Sequence, residues 1–260
     1  MRSQPPASRA HLGVMIGIAF KLFKSVKVLK IALVGMALSG WTIMFSFEFA
    51  ATLLAVLMFH EYGHIRAMKH FGIATKGIYI IPFVGGIAVG ERPKTHWQDL
   101  YIAMMGPVFG LLMSVAFFVA YLVTDSHFMG LVASISALIN LVNLLPILPL
   151  DGGRVVKALV YSGRSRFIYV GLVVISGLIM YYCFTNGFAL IGFFGLMGLV
   201  DLLADWRSFD QDSKAKLDAN GMVFSLVWYL LTAAALIGMI VWLAALELPG
   251  SELATAILNA

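Results

Sequence analysis

The chain has 260 residues, of which 61% are apolar and 12% are charged. A soluble domain is closer to half apolar and a quarter charged, so this composition excludes an ordinary soluble protein and makes the lipid bilayer the natural solvent. We interpret the formal charge of +5 as membrane topology, with no nucleic-acid partner, because juxtamembrane Lys and Arg remain on the cytoplasmic side and meet anionic lipid there.

Long apolar segments follow one another along the chain. A spanning helix needs about 20 mostly apolar residues. Such segments occur at residues 28–46, 48–70, 98–123, 128–149, 167–185, 187–204 and 222–246. Gly40 and Trp41 offer an alternative turn for the first boundary, and the sixth segment is short and contains Asp201, so six spans are also consistent. We predict an all-α polytopic membrane protein with six or seven transmembrane helices.

The positions of the basic residues test this threading. With a cytoplasmic N-terminus and seven spans, all 18 Lys and Arg residues fall in cytoplasmic segments, as the positive-inside rule requires. We therefore expect an integral protein of a bacterial inner membrane. Its expected parts are a cytoplasmic or interfacial N-terminal segment (1–27), a transmembrane domain (28–204), a cytoplasmic connector (205–221), and a C-terminal transmembrane helix with a short tail (222–260).

The second span ends in the sequence His60-Glu61-Tyr62-Gly63-His64. Helix positions i and i+4 lie on one face, so two imidazoles with this spacing can bind one metal ion. Glu61 lies about 100° round the helix, beside the metal, where it can hold a water molecule. This is the zinc-hydrolase pattern of two His ligands and a Glu general base. The alternative is a cytoplasmic helix end whose polar residues meet lipid headgroups.

Catalytic zinc keeps three protein ligands and one open position, and Asp151 is the candidate for the third ligand. Pro146 and Pro149 precede it and break the helix, while Gly152 and Gly153 follow it and permit tight backbone geometry. Broken backbone at membrane depth is tolerated where it is buried or lines water. In the predicted topology, the ends of spans two and four share one membrane face. A helix-capping Asp before a glycine turn is the alternative.

These motifs together resemble the site-2 protease family of intramembrane metalloproteases, peptidase family M50. The resemblance lies in His60-Glu61-Tyr62-Gly63-His64 paired with Leu150-Asp151-Gly152-Gly153, and in two further stretches, Gly85-Gly86-Ile87-Ala88 and Met105-Gly106-Pro107-Val108-Phe109-Gly110. It covers about residues 45–160, the core of the protease domain that it implies at 28–204. The sequence looks like a compact member without a PDZ-like or CBS domain.

The resemblance implies an intramembrane zinc endopeptidase, and the segregation of the basic residues predicts that its active site lies within the bilayer, toward the cytoplasm. It implies one Zn²⁺ per chain, bound by His60, His64 and Asp151, with Glu61 activating a water molecule. The implied substrates are single-span membrane proteins, such as anchored regulatory proteins or signal-peptide remnants.

Residues 76–90 suit a membrane-dipping β-hairpin whose free edge pairs with an unwound substrate by strand addition. An ordinary interfacial loop fits this segment equally well. Gly85 and Gly86 of the glycine motif lie in it and are candidate substrate-binding residues. The resemblance also assigns a substrate-backbone contact to Asn143, whereas Asn140, one turn earlier, has no counterpart that the resemblance assigns.

Two functions of other classes remain open at this point. A transporter or channel would use the same groups as an ion path, since broken helices and intramembrane carboxylates are also transporter features, but no inverted repeat is visible. The other is a catalytically dead membrane scaffold, against which the complete set of ligands and base argues. The zinc content of the purified protein separates these alternatives from a protease.

Overall fold

The computed structural model of the protein describes residues 26–82, 85–207 and 209–246. Most of the predicted N-terminal segment (1–27) and the predicted tail after the last helix lie outside these described residues. The described part consists of eight α-helices, one two-stranded sheet and a short 3-10 helix at Phe209–Gln211. The elements are α1 (Val26–Met44), α2 (Phe47–His70), β1 (Thr75–Ile81), β2 (Gly85–Gly90), α3 (His96–Thr124), α4 (His127–Asn143), α5 (Asp151–Gly163), α6 (Arg166–Thr185), α7 (Ala189–Asp205) and α8 (Ala219–Ala245).

Each of the seven predicted spans corresponds to a helix, with α5 as an additional one. By length and composition, four helices of the described part can cross a membrane, namely α1, α3, α6 and α8. Helices α4 and α7 have 17 residues each, and α2 has 24 but carries several charged side chains. The mostly helical membrane fold is therefore confirmed, while the count of six or seven spans stays a prediction.

The chain turns between α1 and α2 later than Gly40 and Trp41, so the alternative turn at those residues is wrong. Helix α1 continues through both of them. The side chain of Ser46 caps α2 by accepting a hydrogen bond from the Phe49 N–H at 3.1 Å. A Ser at this position satisfies one of the free N–H groups of the first helical turn, which explains why the new helix begins there.

The predicted fourth span, 128–149, is too long, because α4 ends at Asn143 and residues 144–150 form an irregular segment. Its two prolines cannot continue the helix. Neighbouring helices hold its backbone. The Tyr229 hydroxyl of α8 donates to the Leu144 carbonyl oxygen at 2.5 Å, and a Cβ on Gly198 of α7 would lie 2.0 Å from the Leu148 carbonyl oxygen. Helices α7 and α8 therefore pack against the irregular segment, as is expected for non-helical backbone that is to lie at membrane depth.

The main apolar core joins α3, α4, α5 and α8. Its fully enclosed members are Leu100, Ala103, Met104, Phe118, Ala133, Ala137, Leu144, Val155, Ala158, Leu236, Ile240 and Leu243. A smaller cluster joins α1, α2 and β1 through Ala37, Trp41, Ala50, Leu57 and Ile80. Helix α2 therefore packs between the main bundle on one side and α1 with the sheet on the other.

The predicted hairpin at 76–90 is present as β1 and β2. The strands pair antiparallel with Ile78 opposite Ala88, and the register shifts between Thr75 and Gly77. Strand β1 packs on α1 and α2, and β2 packs on α2. The hairpin therefore lies beside the helix that carries the His-Glu-x-x-His sequence, while its insertion into the membrane stays a prediction.

Residues 206–218 link α7 to α8, which is shorter than the predicted connector at 205–221. From here on, the connector means residues 206–218 without residue 208. It lies against the start of α3, where the His96 N–H donates to the Ala215 carbonyl oxygen at 3.0 Å. It also lies against the end of α5, where the Leu217 N–H donates to Ser162 Oγ at 3.2 Å. These contacts place the start of α3 and the ends of α5 and α7 on one side of the bundle, as the predicted threading requires.

Candidate metal centre

Two histidines on α2 form the first half of the candidate centre. His60 and His64 lie one turn apart, with their Nε2 atoms separated by 3.0 Å. Gly106 of α3 makes room for both rings, because a Cβ there would lie 2.4 Å from His64 Cε1 and 2.7 Å from His60 Cε1. The glycine before Pro107 in the sequence therefore has a packing reason, which is the close approach of α3 to the two imidazoles.

Each imidazole is oriented through its second ring nitrogen. His64 Nδ1 lies 2.6 Å from the Ile102 carbonyl oxygen, and since that oxygen can only accept, Nδ1 carries the proton. His60 Nδ1 lies 2.7 Å from the Asn140 side-chain oxygen. Nε2 of each ring is therefore the nitrogen that is available to bind a metal.

Asp151, the first residue of α5, brings a carboxylate to the same point. Its Oδ2 atom lies 3.1 Å from His60 Nε2 and 3.2 Å from His64 Nε2. Its other oxygen lies 3.4 Å from Arg154 Nη1, one turn along α5. One oxygen of the carboxylate therefore faces the two rings, while the other faces a guanidinium group.

Close packing of α5 against the irregular segment sets the position of that carboxylate. A Cβ on Gly152 would lie 2.1 Å from the Leu144 carbonyl oxygen, so only glycine permits this approach. Leu150 occupies the N-cap position of α5, and no side chain makes a cap hydrogen bond there. The alternative of a helix-capping Asp151 is therefore wrong.

The three facing atoms form a triangle with sides of 3.0–3.2 Å. Two imidazole lone pairs and a carboxylate oxygen are all acceptors, so their convergence is favourable only around a proton or a cation. Ligands about 2.0–2.1 Å from a tetrahedral zinc ion lie about 3.3 Å from one another. The donor set and its spacing fit one zinc ion. Among the His, Cys, Asp and Glu residues that the structure describes, His60, His64 and Asp151 form the group whose ligand atoms lie close enough to hold one metal ion.

Glu61 lies on the neighbouring face of α2 and is 4% exposed. Gly86 of β2 approaches it closely, since a Cβ on Gly86 would lie 2.4 Å from Glu61 Cγ and 2.7 Å from its Oε1. The absence of a side chain at Gly86 therefore allows the strand to approach the carboxylate. This contact places the hairpin directly beside the candidate general base.

A cavity of about 610 Å³ opens onto this cluster. All of the sequence-predicted site residues line it, namely His60, Glu61, His64, Gly85, Gly86, Asn143 and Asp151. Its apolar walls are Trp41, Leu53, Leu57, Ile139, Val142, Ile191 and Phe194. The structure thus brings residues from α2, β2, α4 and α5 to one cavity.

Sequence reasoning missed three groups that shape this centre: Asn140, the Ile102 carbonyl and Gly106. A backbone carbonyl has no sequence signature, and Gly106 was recognised only as part of a motif. Asn140 did carry a signal, because a polar amide within a membrane span is costly unless it has a partner or a function.

Comparison with known proteins identifies relatives of this arrangement. The family model described as peptidase family M50 matches residues 48–126 and 124–184, which together make up more than half of the chain and include the whole cluster. A Synechocystis sp. protein named as a zinc metalloprotease is 32% identical over 118 residues, which cover 44% of this chain and 31% of that protein. The chain therefore spans about a third of that relative's length.

Two further relatives and one solved structure are similar to the chain. A zinc metalloprotease of Methanocaldococcus jannaschii is 26% identical over 152 residues, covering 56% of this chain and 43% of that protein. Stage IV sporulation protein FB of Bacillus subtilis is 32% identical over 123 residues, covering 44% and 41%. A solved site-2 protease from Methanocaldococcus jannaschii has 21% sequence identity, with coverage of 66% of this chain and 87% of that one and a TM-score of 0.43.

Proposed function

The chain belongs to peptidase family M50, the site-2 protease family, and on this premise we propose that it is an intramembrane zinc endopeptidase. The observation that carries the proposal is the convergence of His60, His64 and Asp151, with Glu61 lining the same cavity. This arrangement favours hydrolysis over an ion path or a scaffold, because neither of those functions needs a carboxylate base beside a three-ligand metal site.

The side chains around the cavity have distinct roles in the proposed reaction. His60, His64 and Asp151 would hold a zinc ion, which would lower the pKa of a bound water molecule and polarise the scissile carbonyl. Glu61 accepts a proton from the attacking water molecule and donates it to the leaving amine. The hydrogen bonds from Nδ1 of both imidazoles keep the rings turned toward the Asp151 carboxylate.

The lining of the cavity supports an apolar substrate. Its walls are lined mainly by apolar side chains, which suit the side chains of a membrane-spanning segment. A transmembrane helix hides its carbonyls in i→i−4 hydrogen bonds, so it must unwind locally before a peptide bond can be attacked.

Strand β2 offers an unwound substrate a partner. It lines the cavity, and within the described part of the chain it pairs only with β1, so its other edge is available for strand addition. Gly85 and Gly86 would then contact the substrate backbone. The Asn143 Nδ2 atom donates one hydrogen bond to the Ile139 carbonyl oxygen at 3.0 Å. Its second N–H and its side-chain oxygen would then be available to bind the substrate backbone.

The proposal extends to location and partners. The substrates would be single-span membrane proteins, such as anchored regulatory proteins or signal-peptide remnants, cleaved in a bacterial inner membrane by a domain at 28–204. The segregation of all 18 basic residues supports a cytoplasmic N-terminus and an active site toward the cytoplasm.

Cleavage of a tagged single-span reporter in detergent or vesicles tests the proposal. Glu61→Gln is expected to retain zinc and to lower the cleavage rate by about 10²–10⁴-fold, the usual contribution of a general base. Glu48→Gln is the matched control, because Glu48 lies on the same helix and is exposed, and it is expected to cleave like the wild type. Equal cleavage by the wild type and Glu61→Gln would rule out the proposed role of Glu61.

A further inference from the structure

Asn140 is a fully buried amide in helix α4 that reaches across to α2. Its side chain has no solvent exposure, and its oxygen lies 2.7 Å from His60 Nδ1, although the two residues are 80 positions apart in sequence. A buried amide without hydrogen-bond partners costs several kcal/mol in an apolar environment. The contact with His60 is therefore a specific interaction of a costly group.

The amide of Asn140 can adopt only one orientation. Its Nδ2 lies 2.7 Å from the Ser136 carbonyl oxygen in the preceding turn, and a carbonyl oxygen only accepts hydrogen bonds. The amide nitrogen must face Ser136, which leaves the amide oxygen toward His60. That oxygen also only accepts, so His60 must carry a proton on Nδ1, which leaves Nε2 as the ring nitrogen that can bind a metal.

Helix α3 has a gap at the point where Asn140 lies. A Cβ on Gly110 would lie 1.8 Å from Asn140 Nδ2 and 2.1 Å from its Oδ1. The Ser136 hydroxyl donates to the Gly110 carbonyl oxygen at 2.8 Å, which holds the two helices together at this height. Gly110 therefore provides the space for the amide, and Ser136 contributes to both its orientation and the helix contact.

The two histidines differ in how their orientation is set. His64 Nδ1 donates to the backbone carbonyl of Ile102, and a backbone carbonyl is present whatever the side chain at that position. His60 Nδ1 donates to the side chain of Asn140, so its orientation depends on a residue that a substitution can remove. The partner of a metal-binding His sets its tautomer and basicity.

We propose that Asn140 is a positioning residue for the metal centre, which selects the tautomer and ring orientation of His60, and that Gly110 provides the space this requires. Asn140 acts through His60 and does not contact the reacting groups. The inference rests on the proposed function in one respect, namely that a metal binds the cluster of His60, His64 and Asp151.

Zinc affinity, measured by competition with a chelator on the detergent-purified full chain, tests this inference. Asn140→Ala is expected to weaken zinc binding by about 10–100-fold, the usual effect of removing such a partner. Asn140→Asp keeps the acceptor toward His60 Nδ1 but replaces the amide donor to the Ser136 carbonyl oxygen, so it is expected to recover only part of that loss. Asn143→Ala is the matched control on the same helix, because Asn143 bonds to the Ile139 carbonyl, and it is expected to retain wild-type zinc affinity.

A second pair of variants tests the space for the amide without changing Asn140. Gly110→Ala is expected to displace the amide and to weaken zinc binding about as much as Asn140→Ala does. Gly35→Ala is its control, because a Cβ on Gly35 would meet no atom within 4 Å. Thermal unfolding of the zinc-free proteins shows that each variant is folded.

The outcomes separate the inference from the proposed function. Wild-type zinc affinity in Asn140→Ala, or equal losses in Asn140→Ala and Asn140→Asp, would overturn the positioning role alone. A folded wild-type chain that binds no zinc would overturn the proposed function, and the inference with it. If Asn140→Ala fails to fold, Asn140→Asp and Gly110→Ala decide the matter.

Discussion

The metal centre and the connector are both polar assemblies made from distant parts of an apolar chain, but they differ in burial. His60, His64 and Asp151 are 3–6% exposed and converge on one point. In the connector, Asp210 forms an ion pair with Arg166 of α6. The side chains of Arg166 and Asp210 are 53% and 57% exposed, so this pair lies at the surface. The buried polar cluster therefore marks the candidate site, whereas the exposed ion pair marks where the connector meets α6.

The connector also has a buried part, which lies between these extremes. His96, at the start of α3, is 4% exposed, and its Nε2 lies 2.6 Å from the Asp212 carboxylate. The ring of Phe209 packs on Tyr161 and Tyr169 with centroid distances of 4.8 and 4.7 Å. The comparison therefore predicts effects that decrease from the metal centre, through these buried connector contacts, to the surface ion pairs.

Removal of the metal should have the largest effect. A ligand that binds only the folded state at a concentration 1,000 times its Kd adds about 4 kcal/mol to the free energy of unfolding. A zinc chelator is therefore expected to lower the thermal unfolding temperature of the wild type. His96→Ala should show the same chelator response, and His60→Ala should show none. A wild type whose unfolding is unaffected by the chelator would contradict the account.

Gly106→Ala should have the next largest effect. The new methyl group would overlap both imidazoles, and overpacking of this kind costs about 1–3 kcal/mol. Both the free energy of unfolding and the zinc affinity are expected to fall. Gly35→Ala, which adds a methyl group in open space, should change neither to a comparable extent. Similar behaviour of the two variants would show that close packing by α3 does not shape the centre.

The His96–Asp212 contact should contribute less and should not affect the metal. A hydrogen bond to a charged group contributes about 1.5–3 kcal/mol to stability when buried, and Asp212 is only partly buried, so we expect a coupling of about 1–2 kcal/mol. A double-mutant cycle with His96→Ala and Asp212→Asn measures this coupling. Loss of zinc from either single variant would contradict the separation of the two regions.

The Arg166–Asp210 pair should have the smallest effect. Arg166→Gln is expected to leave the thermal unfolding temperature unchanged within error, because exposed ion pairs contribute little. The hydrogen bond from Arg166 lowers the pKa of Asp210 from its ordinary value of 3.8. Any contribution of the pair to the free energy of unfolding is therefore complete above pH 3.8, the ordinary pKa of the carboxyl group, and is lost as the pH falls through the lowered pKa of Asp210. A clear destabilisation of Arg166→Gln at neutral pH would contradict the expected order of effects.

Much of the fold could be predicted because its signals are local. Apolar runs predicted the places of seven helices, and residues 76–90 suited a hairpin, although an ordinary interfacial loop fitted them equally well. The spacing of His60 and His64 places both on one helix face without any tertiary information. Asp151 was a candidate through its position after two prolines and through the family resemblance, and the structure brings it to the two histidines.

The remaining features depend on contacts between distant segments. Asp212 is 116 positions from His96, and no local pattern connects them. The prolines indicate locally that α4 must end before Pro146, but the path of the irregular segment depends on how α7 and α8 pack against it. Asn140 could be recognised as a costly polar residue in a span, but only the approach of α2 to α4 shows that it meets His60.

The zinc content of the detergent-purified chain, measured by atomic spectroscopy, tests the central claim most directly. We predict about one zinc ion per chain in the wild type, in Glu61→Gln and in His96→Ala, and loss of that zinc in His60→Ala, His64→Ala and Asp151→Ala, because those three side chains form the donor triangle. A folded wild type without zinc, or undiminished zinc in Asp151→Ala, would contradict the claim.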